Sequence, residues 1–141
     1  MAAHSPDDDA VVVDLLMRAA RAQRRRWLDV LAPWDLSPHH ARALRVVAGR
    51  EGTRLSDLAE ALRIAPRSAT EVADALQARG LVERTPDPTD RRAVVLRATG
   101  EGHRVRAEVD AARAADSREL LTRLAPGERA ELARLLRAQT D

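Results

Sequence analysis

From Gly80 to Leu96 the chain reads Gly80-Leu81-Val82-Glu83-Arg84-Thr85-Pro86-Asp87-Pro88-Thr89-Asp90-Arg91-Arg92-Ala93-Val94-Val95-Leu96. Two short apolar stretches flank a charged connection, which predicts a hairpin of two strands. The connection, Pro86 to Arg92, is too long for a tight two-residue turn, and its prolines stiffen it. A long, charged, stiffened loop costs chain entropy and gains little on an ordinary surface. It is suited to carrying Arg91 and Arg92 away from the body of the protein.

The segments around this hairpin read as helices. From Val11 to Leu31, apolar residues at Val12, Leu15, Leu16, Ala19, Ala20, Trp27, Val30 and Leu31 form a broad helical stripe that Pro33 ends. Ser37 and Pro38 supply an N-cap and a first-turn proline for a helix to about Ala48, followed by a turn between Gly49 and Gly52. Ser56 is expected to cap a short helix to about Leu62. Pro66 opens the next, to about Arg79, where Gly80 stops it. After the hairpin, Thr99 can cap a long helix to about Leu124, and Pro126 starts a last one carrying Leu132, Leu135 and Leu136.

Composition sharpens this picture. Phe and Tyr are absent and Trp27 and Trp34 are the only aromatics, so the core must be built from Leu, Val and Ala, which suits helices. The expected fold is therefore mainly α with a small β-hairpin (α+β), one structural domain of 141 residues. Residues 1–8 are expected to be disordered, and residues 36–98 to form a compact lobe. Residues 9–35 and 99–141 would be dimerisation helices, because stripes so apolar need each other and a second copy of the chain. There is no Cys, which excludes disulfides and thiol chemistry. No apolar run approaches the ~18 residues of a membrane span. The first residues lack the basic start and apolar stretch of a signal peptide, so a cytoplasmic location is expected. Net charge is only +2 and every basic residue is Arg; an all-Arg, Asn-free, Ala-rich chain points to a GC-rich genome rather than a polybasic protein. A surface for nucleic acid must come from local clustering.

Such a cluster sits upstream of the hairpin, in Leu58-Ala59-Glu60-Ala61-Leu62-Arg63-Ile64-Ala65-Pro66-Arg67-Ser68-Ala69-Thr70-Glu71-Val72. Two helices that cross closely need a small residue inside the first, and Ala59 fits. Leu58, Ile64, Ala69 and Val72 supply apolar contacts. Left outward at the start of the second helix, after Pro66, are Arg67, Ser68, Thr70 and Glu71. A helix N-terminus offers free N–H groups and partial positive charge to phosphate, and second helices of this motif enter the major groove N-terminus first. Arg67 is suited to bridging guanine O6 and N7; Ser68 and Thr70 suit phosphate. The same residue types also make ordinary solvated surface, and the hairpin beside them favours double-stranded DNA as the partner. The hairpin then reads as the wing of a winged helix-turn-helix.

From Leu36 to Gly102 the sequence resembles the MarR family of winged-helix transcriptional regulators. The resemblance rests on Asp87-Pro88-Thr89-Asp90-Arg91-Arg92-Ala93, on Thr99-Gly100-Glu101-Gly102, and on Ala75-Leu76-Gln77-Ala78-Arg79-Gly80-Leu81-Val82-Glu83-Arg84. It implies a homodimer with interleaved terminal helices, and recognition helices in successive major grooves of a palindromic operator. It further implies wing arginines in the adjacent minor grooves. By that analogy Arg92 enters the groove while Asp90 holds it extended through a salt bridge; the pair alternatively forms only a local loop contact. A narrow minor groove concentrates negative potential and attracts Arg whatever the family. Two departures stand out. Arg63 occupies a turn position where the family usually has Gly; a left-handed backbone there would cost about 1 kcal/mol, partly repaid by a phosphate contact. Glu71 stands where a basic or neutral residue is typical, able either to accept from cytosine N4 or to repel phosphate.

The resemblance also implies an effector site between the dimer helices and the DNA-binding lobe, for a small aromatic acid or phenol. Trp27, Trp34, His39, His40 and Arg42 fall in that region. Alternatively, both Trp residues fill the core and both His residues cap a helix or face solvent. The run Arg24-Arg25-Arg26 reads as a solvated helix face, or as a contact to flanking DNA or to an acidic helix of a partner subunit. His4, His39, His40 and His103 have no metal-ligand spacing, and no nucleophile motif or Gly-rich phosphate loop is present. No catalytic residue, metal or cofactor is expected. The leading reading is a sequence-specific dimeric DNA-binding transcriptional regulator, a repressor relieved by an aromatic effector. The alternative is a winged-helix interaction module that has lost DNA binding.

Overall fold

The computed structural model describes residues 6–140. Six helices and one hairpin follow in the order α1 (Pro6–Leu31), α2 (Pro38–Ala48), α3 (Leu55–Leu62), α4 (Pro66–Ala78), β1 (Val82–Asp87), β2 (Asp90–Ala98), α5 (Gly100–Leu120) and α6 (Pro126–Thr140). Single 3₁₀ turns at Ala32–Trp34 and Leu121–Arg123 join α1 to α2 and α5 to α6. The mainly helical class and the hairpin agree with the expectation. Helix α1 begins at Pro6, inside the segment expected to be disordered; residues 1–5 lie outside the described residues.

The helix boundaries follow local chemistry. Ser37 Oγ accepts from the His40 N–H at 3.1 Å, capping α2 with Pro38 in its first turn. Thr99 Oγ1 accepts from Gly102 N–H at 3.0 Å and caps α5. At the end of α4, Gly80 takes φ +69°, Gly80 N–H donates to Gln77 O and Leu81 N–H to Leu76 O. This is a Schellman closure, which wants a left-handed residue at that place. The cap expected from Ser56 is corrected. Helix α3 starts at Leu55, Arg54 occupies the cap position, and Asp57 accepts from the Arg54 N–H at 3.3 Å. An acid three residues past the cap thus takes over from a hydroxyl at the cap.

The core lies inside the lobe. Leu44, Leu58, Leu62, Leu76 and Leu96 are buried together, with Leu31, Val105 and Val109 sealing it from α1 and α5. A two-residue bridge between Thr53 and Leu96, with N···O distances of 3.0 and 2.8 Å, ties the approach to α3 onto β2.

The wing differs from its expected form. Its strands run on to Asp87 and Asp90, leaving only Pro88 and Thr89 as the turn. The apparent length of the connection comes from a break in register instead. Pro86 pairs with Val94 and Asp87 with Asp90, so Arg91, Arg92 and Ala93 bulge from β2 with no residue opposite.

Candidate nucleic-acid interface

Helices α3 and α4 pack together, and the small residues Ala59 of α3 and Ala69 of α4 are both buried. The turn between them passes through Arg63 at φ 54°, left-handed although the residue carries a side chain. Ile64 N–H and Arg63 N–H return to Ala59 O and Glu60 O and close α3.

The first turn of α4 is open to solvent. Arg67 keeps 91% of its side-chain exposure, and its Nε lies 3.3 Å from Glu71 Oε1 one turn on. Glu71 is therefore a partner of Arg67 within the free protein and aims its guanidinium along α4. Thr70 Oγ1 donates to Pro66 O at 3.2 Å. In the free protein its hydroxyl proton is directed into the helix, and the residue itself is exposed. Ser68 is half-buried and Pro66 occupies the first helical position with its ring exposed.

On the wing, Arg91 and Arg92 are both exposed. The Asp90 carboxylate accepts from the Arg92 backbone N–H at 3.0 Å and forms no ion pair with the Arg92 guanidinium. In the structure Asp90 thus holds the backbone of the bulge, and the expected ion pair to the guanidinium is not formed. A second carboxylate does more than the sequence suggested. Asp87 is 8% exposed at its side chain. Its Oδ1 accepts from Thr89 N–H (2.9 Å) and Thr89 Oγ1 (2.8 Å), and its Oδ2 from Arg54 Nε (3.0 Å) and Nη2 (2.6 Å). The Thr89 amide, the Thr89 hydroxyl and then Arg54 hold its pKa down to about 2. Arg84, on β1, reaches back to Asp74 of α4 at 2.6 Å and to Gln77. Arg54 was invisible as a wing residue because its partner is far away in sequence, although Asp87 lay inside the quoted motif.

Of the residues expected at an effector site, the structure gathers some and disperses others. An open cleft of about 600 Å³ between α1, α2 and α5 is lined by Trp27, His39 and Arg42, with Arg24, Arg45, Asp110 and Arg113. Arg113 stacks over the Trp27 ring, 5.0 Å from its centroid. Trp34 and His40 stand apart from this cleft. Trp34 packs on the core and donates from Nε1 to Glu108 at 3.0 Å. The His40 imidazole is held below its ordinary pKa by burial, by His39 and by Arg79. The Arg24–Arg26 run is not a uniform solvated face: Arg24 lines the cleft, Arg25 is exposed, and Arg26 turns inward to Asp116 at 2.6 Å.

A helix-turn-helix backed by a wing, flanked by long terminal helices, defines the winged helix-turn-helix class. Residues 34–93 match the model of the MarR family. A Thauera aromatica protein described as "Putative transcriptional regulatory protein for hcr operon" is 33% identical over 94 residues, covering 67% of this chain and 57% of that protein. The chain thus spans a little over half the length of that relative. Among solved structures, a MarR family protein from Bacillus stearothermophilus superposes with a TM-score of 0.82 over 98% of this chain and 96% of that one, at 23% identity. The transcriptional repressor CouR, solved on a 23-mer DNA duplex, gives a TM-score of 0.82 over the whole of both chains at 25% identity. Residues 34–93 thus match the MarR family model, and the chain as a whole has the fold of MarR regulators. No helix among the described residues is long and apolar enough to cross a membrane.

Proposed function

We propose that this regulator is a cytoplasmic homodimer that binds a palindromic operator, with α4 in the major groove and the wing in the minor groove. The observation that carries the reading is the pairing of an open α4 N-terminus, headed by Arg67, with two exposed arginines on a bulge of the wing. The likeness to CouR, which was solved on DNA, supports it. In this reading Arg67 leaves or shares Glu71 to contact a guanine, Ser68 and Arg63 touch backbone phosphate, and Arg91 and Arg92 follow the narrow groove. Exposed apolar residues on α1 (Val11, Leu15, Leu16) and α6 (Leu132, Leu135, Leu136) would pack against the second copy.

The regulator acts as a repressor that an aromatic effector releases. Trp27 offers an aromatic wall, and Arg24, Arg42, Arg45 and Arg113 outnumber the single acid Asp110 in the cleft. That balance favours an aromatic anion.

Binding to duplexes selected from a randomised library tests the reading. With roughly 6–10 phosphates contacted per dimer, raising salt from about 50 to 200 mM should weaken binding by about 10³–10⁵. Arg67→Ala should cost ~1–3 kcal/mol on the selected site, much less on scrambled DNA, and relax one symmetric base position. Arg92→Ala should weaken both duplexes to a similar degree and flatten the salt slope. A protein that selects no sequence and shows flat salt dependence would be an interaction module. Loss of base preference in Arg92→Ala alone would mean that helix and wing have exchanged roles.

A further inference from the structure

The bulge that carries Arg91 and Arg92 has no ladder partners of its own, so the sheet does not fix its direction. On one side of it, Val94 pairs with Pro86, a residue with no N–H to give. On the other side, Asp90 pairs with Asp87, so Asp87 is the firm point from which the bulge springs. Asp87 in turn is held by Arg54, which occupies the cap position of α3, the helix packed against α4. Asp57 holds the Arg54 amide, and the neighbouring Thr53 pairs with Leu96 of β2.

We propose that Arg54 is a positioning residue for DNA binding: by gripping Asp87 it fixes where the wing arginines stand relative to the recognition helix. The two donors of a planar guanidinium on one carboxylate oxygen give direction as well as attraction. The other oxygen, bound to the Thr89 amide and hydroxyl, locks the two-residue turn. Wing and α4 then move as one body, and the spacing between the two DNA-reading elements is set before DNA arrives. Pre-set geometry of this kind spares the complex an ordering cost. The proposal rests on the DNA-binding reading above, but its first consequence belongs to the free protein.

The test has two arms. In the free protein, limited trypsin digestion reports cleavage after Arg91 and Arg92. Arg54→Gln and Asp87→Asn should each accelerate that cleavage, with melting curves showing both variants folded at the assay temperature. In the second arm, each variant is measured on the duplex selected by the wild-type protein. Each should lose about tenfold in affinity. In either background Arg92→Ala should cost much less than it does alone, because the arginine has already lost its place. Arg54→Lys, which keeps the charge but not the fork, should behave like Arg54→Gln. Unchanged cleavage, or costs for Arg54→Gln and Arg92→Ala that simply add, would overturn the proposal. So would full rescue by Arg54→Lys with a normal salt slope, which would make Arg54 a plain phosphate contact. Faster cleavage in a protein that selects no DNA would leave the grip standing and overturn the DNA-binding reading instead.

Discussion

Leu58 and Leu135 are the same side chain in helices of the same chain, in opposite surroundings. Leu58, in α3, is 0% exposed among Leu44, Leu62 and Leu76; Leu135, in α6, is 49% exposed, and no residue of α6 is buried. The core of the lobe is closed within the chain, sealed by Leu31, Val105 and Val109, whereas α1 and α6 present apolar residues that no described residue covers. Foldability is thus divided within the molecule. One region carries its own core, and the other has half of one, completed by a second copy in the proposed dimer.

The largest effect expected from this contrast is at Leu58. Leu58→Ala should cost ~2–5 kcal/mol through lost burial and the cavity left behind, and the loss should be the same at any protein concentration. Leu135→Ala should change little within one chain, but it should lower the thermal midpoint more at low than at high concentration, since association supplies the missing cover. Denaturation at two concentrations tenfold apart measures both. A Leu135→Ala loss independent of concentration would erase the distinction between the regions.

A smaller effect is expected at the seam where the two regions meet. A Cβ added at Gly102 would lie 1.9 Å from Leu81 O, where the first turn of α5 meets the link between α4 and β1. The approach is held by Thr99, whose N–H donates to Leu81 O and whose hydroxyl donates to Gly80 O at 2.6 Å. Gly102→Ala must push backbone apart, costing about 1–3 kcal/mol. By contrast, Gly100→Ala meets nothing within 4 Å and should be near neutral. Thermal melts of the pair check the claim, and equal midpoints would show that the seam is looser than its geometry.

The seam also shows how far sequence reading reaches. The caps at Ser37 and Thr99, the stop at Gly80 and the small residue at Ala59 were legible because each acts within a few residues of itself. Thr99-Gly100-Glu101-Gly102 was legible as a pattern, but its reason, a backbone contact with Leu81, lies across the fold. The same holds for Arg54 and Asp87, whose pairing joins two elements distant in sequence. At the wing, the length of the charged stretch was read as a loop, whereas a register break after Pro86 hides three residues inside a strand. Spacing alone does not distinguish a long turn from a short turn with a bulge. At the cleft, Trp27 and Trp34 are near neighbours in sequence and both pack against the core, yet only Trp27 lines the cleft, Trp34 lying in the 3₁₀ turn after α1.

The smallest effect separates two residues that share one backbone conformation. Asp35 and Arg63 are the described non-glycine residues with positive φ, at 49° and 54°. Asp35 ends the turn that joins the terminal helix to the lobe, and its short polar side chain tolerates the left-handed region. Its carbonyl also accepts from Arg79 Nη1 at 2.6 Å, which helps to hold the conformation. Arg63 has a long side chain in the turn of the helix-turn-helix. Left-handed strain of about 1–2 kcal/mol is opposed by the roughly 0.5–1 kcal/mol that glycine loses through its freer unfolded chain. Arg63→Gly should therefore stabilise the protein by up to about 1 kcal/mol, and Asp35→Gly should be neutral or slightly destabilising. If Arg63 touches phosphate, the same Arg63→Gly variant binds DNA more weakly while melting higher, and its salt slope falls by about one ion per subunit. Opposite signs in the two measurements would mark strain retained for binding. A variant that melts higher and binds equally well would strip Arg63 of a role in DNA contact.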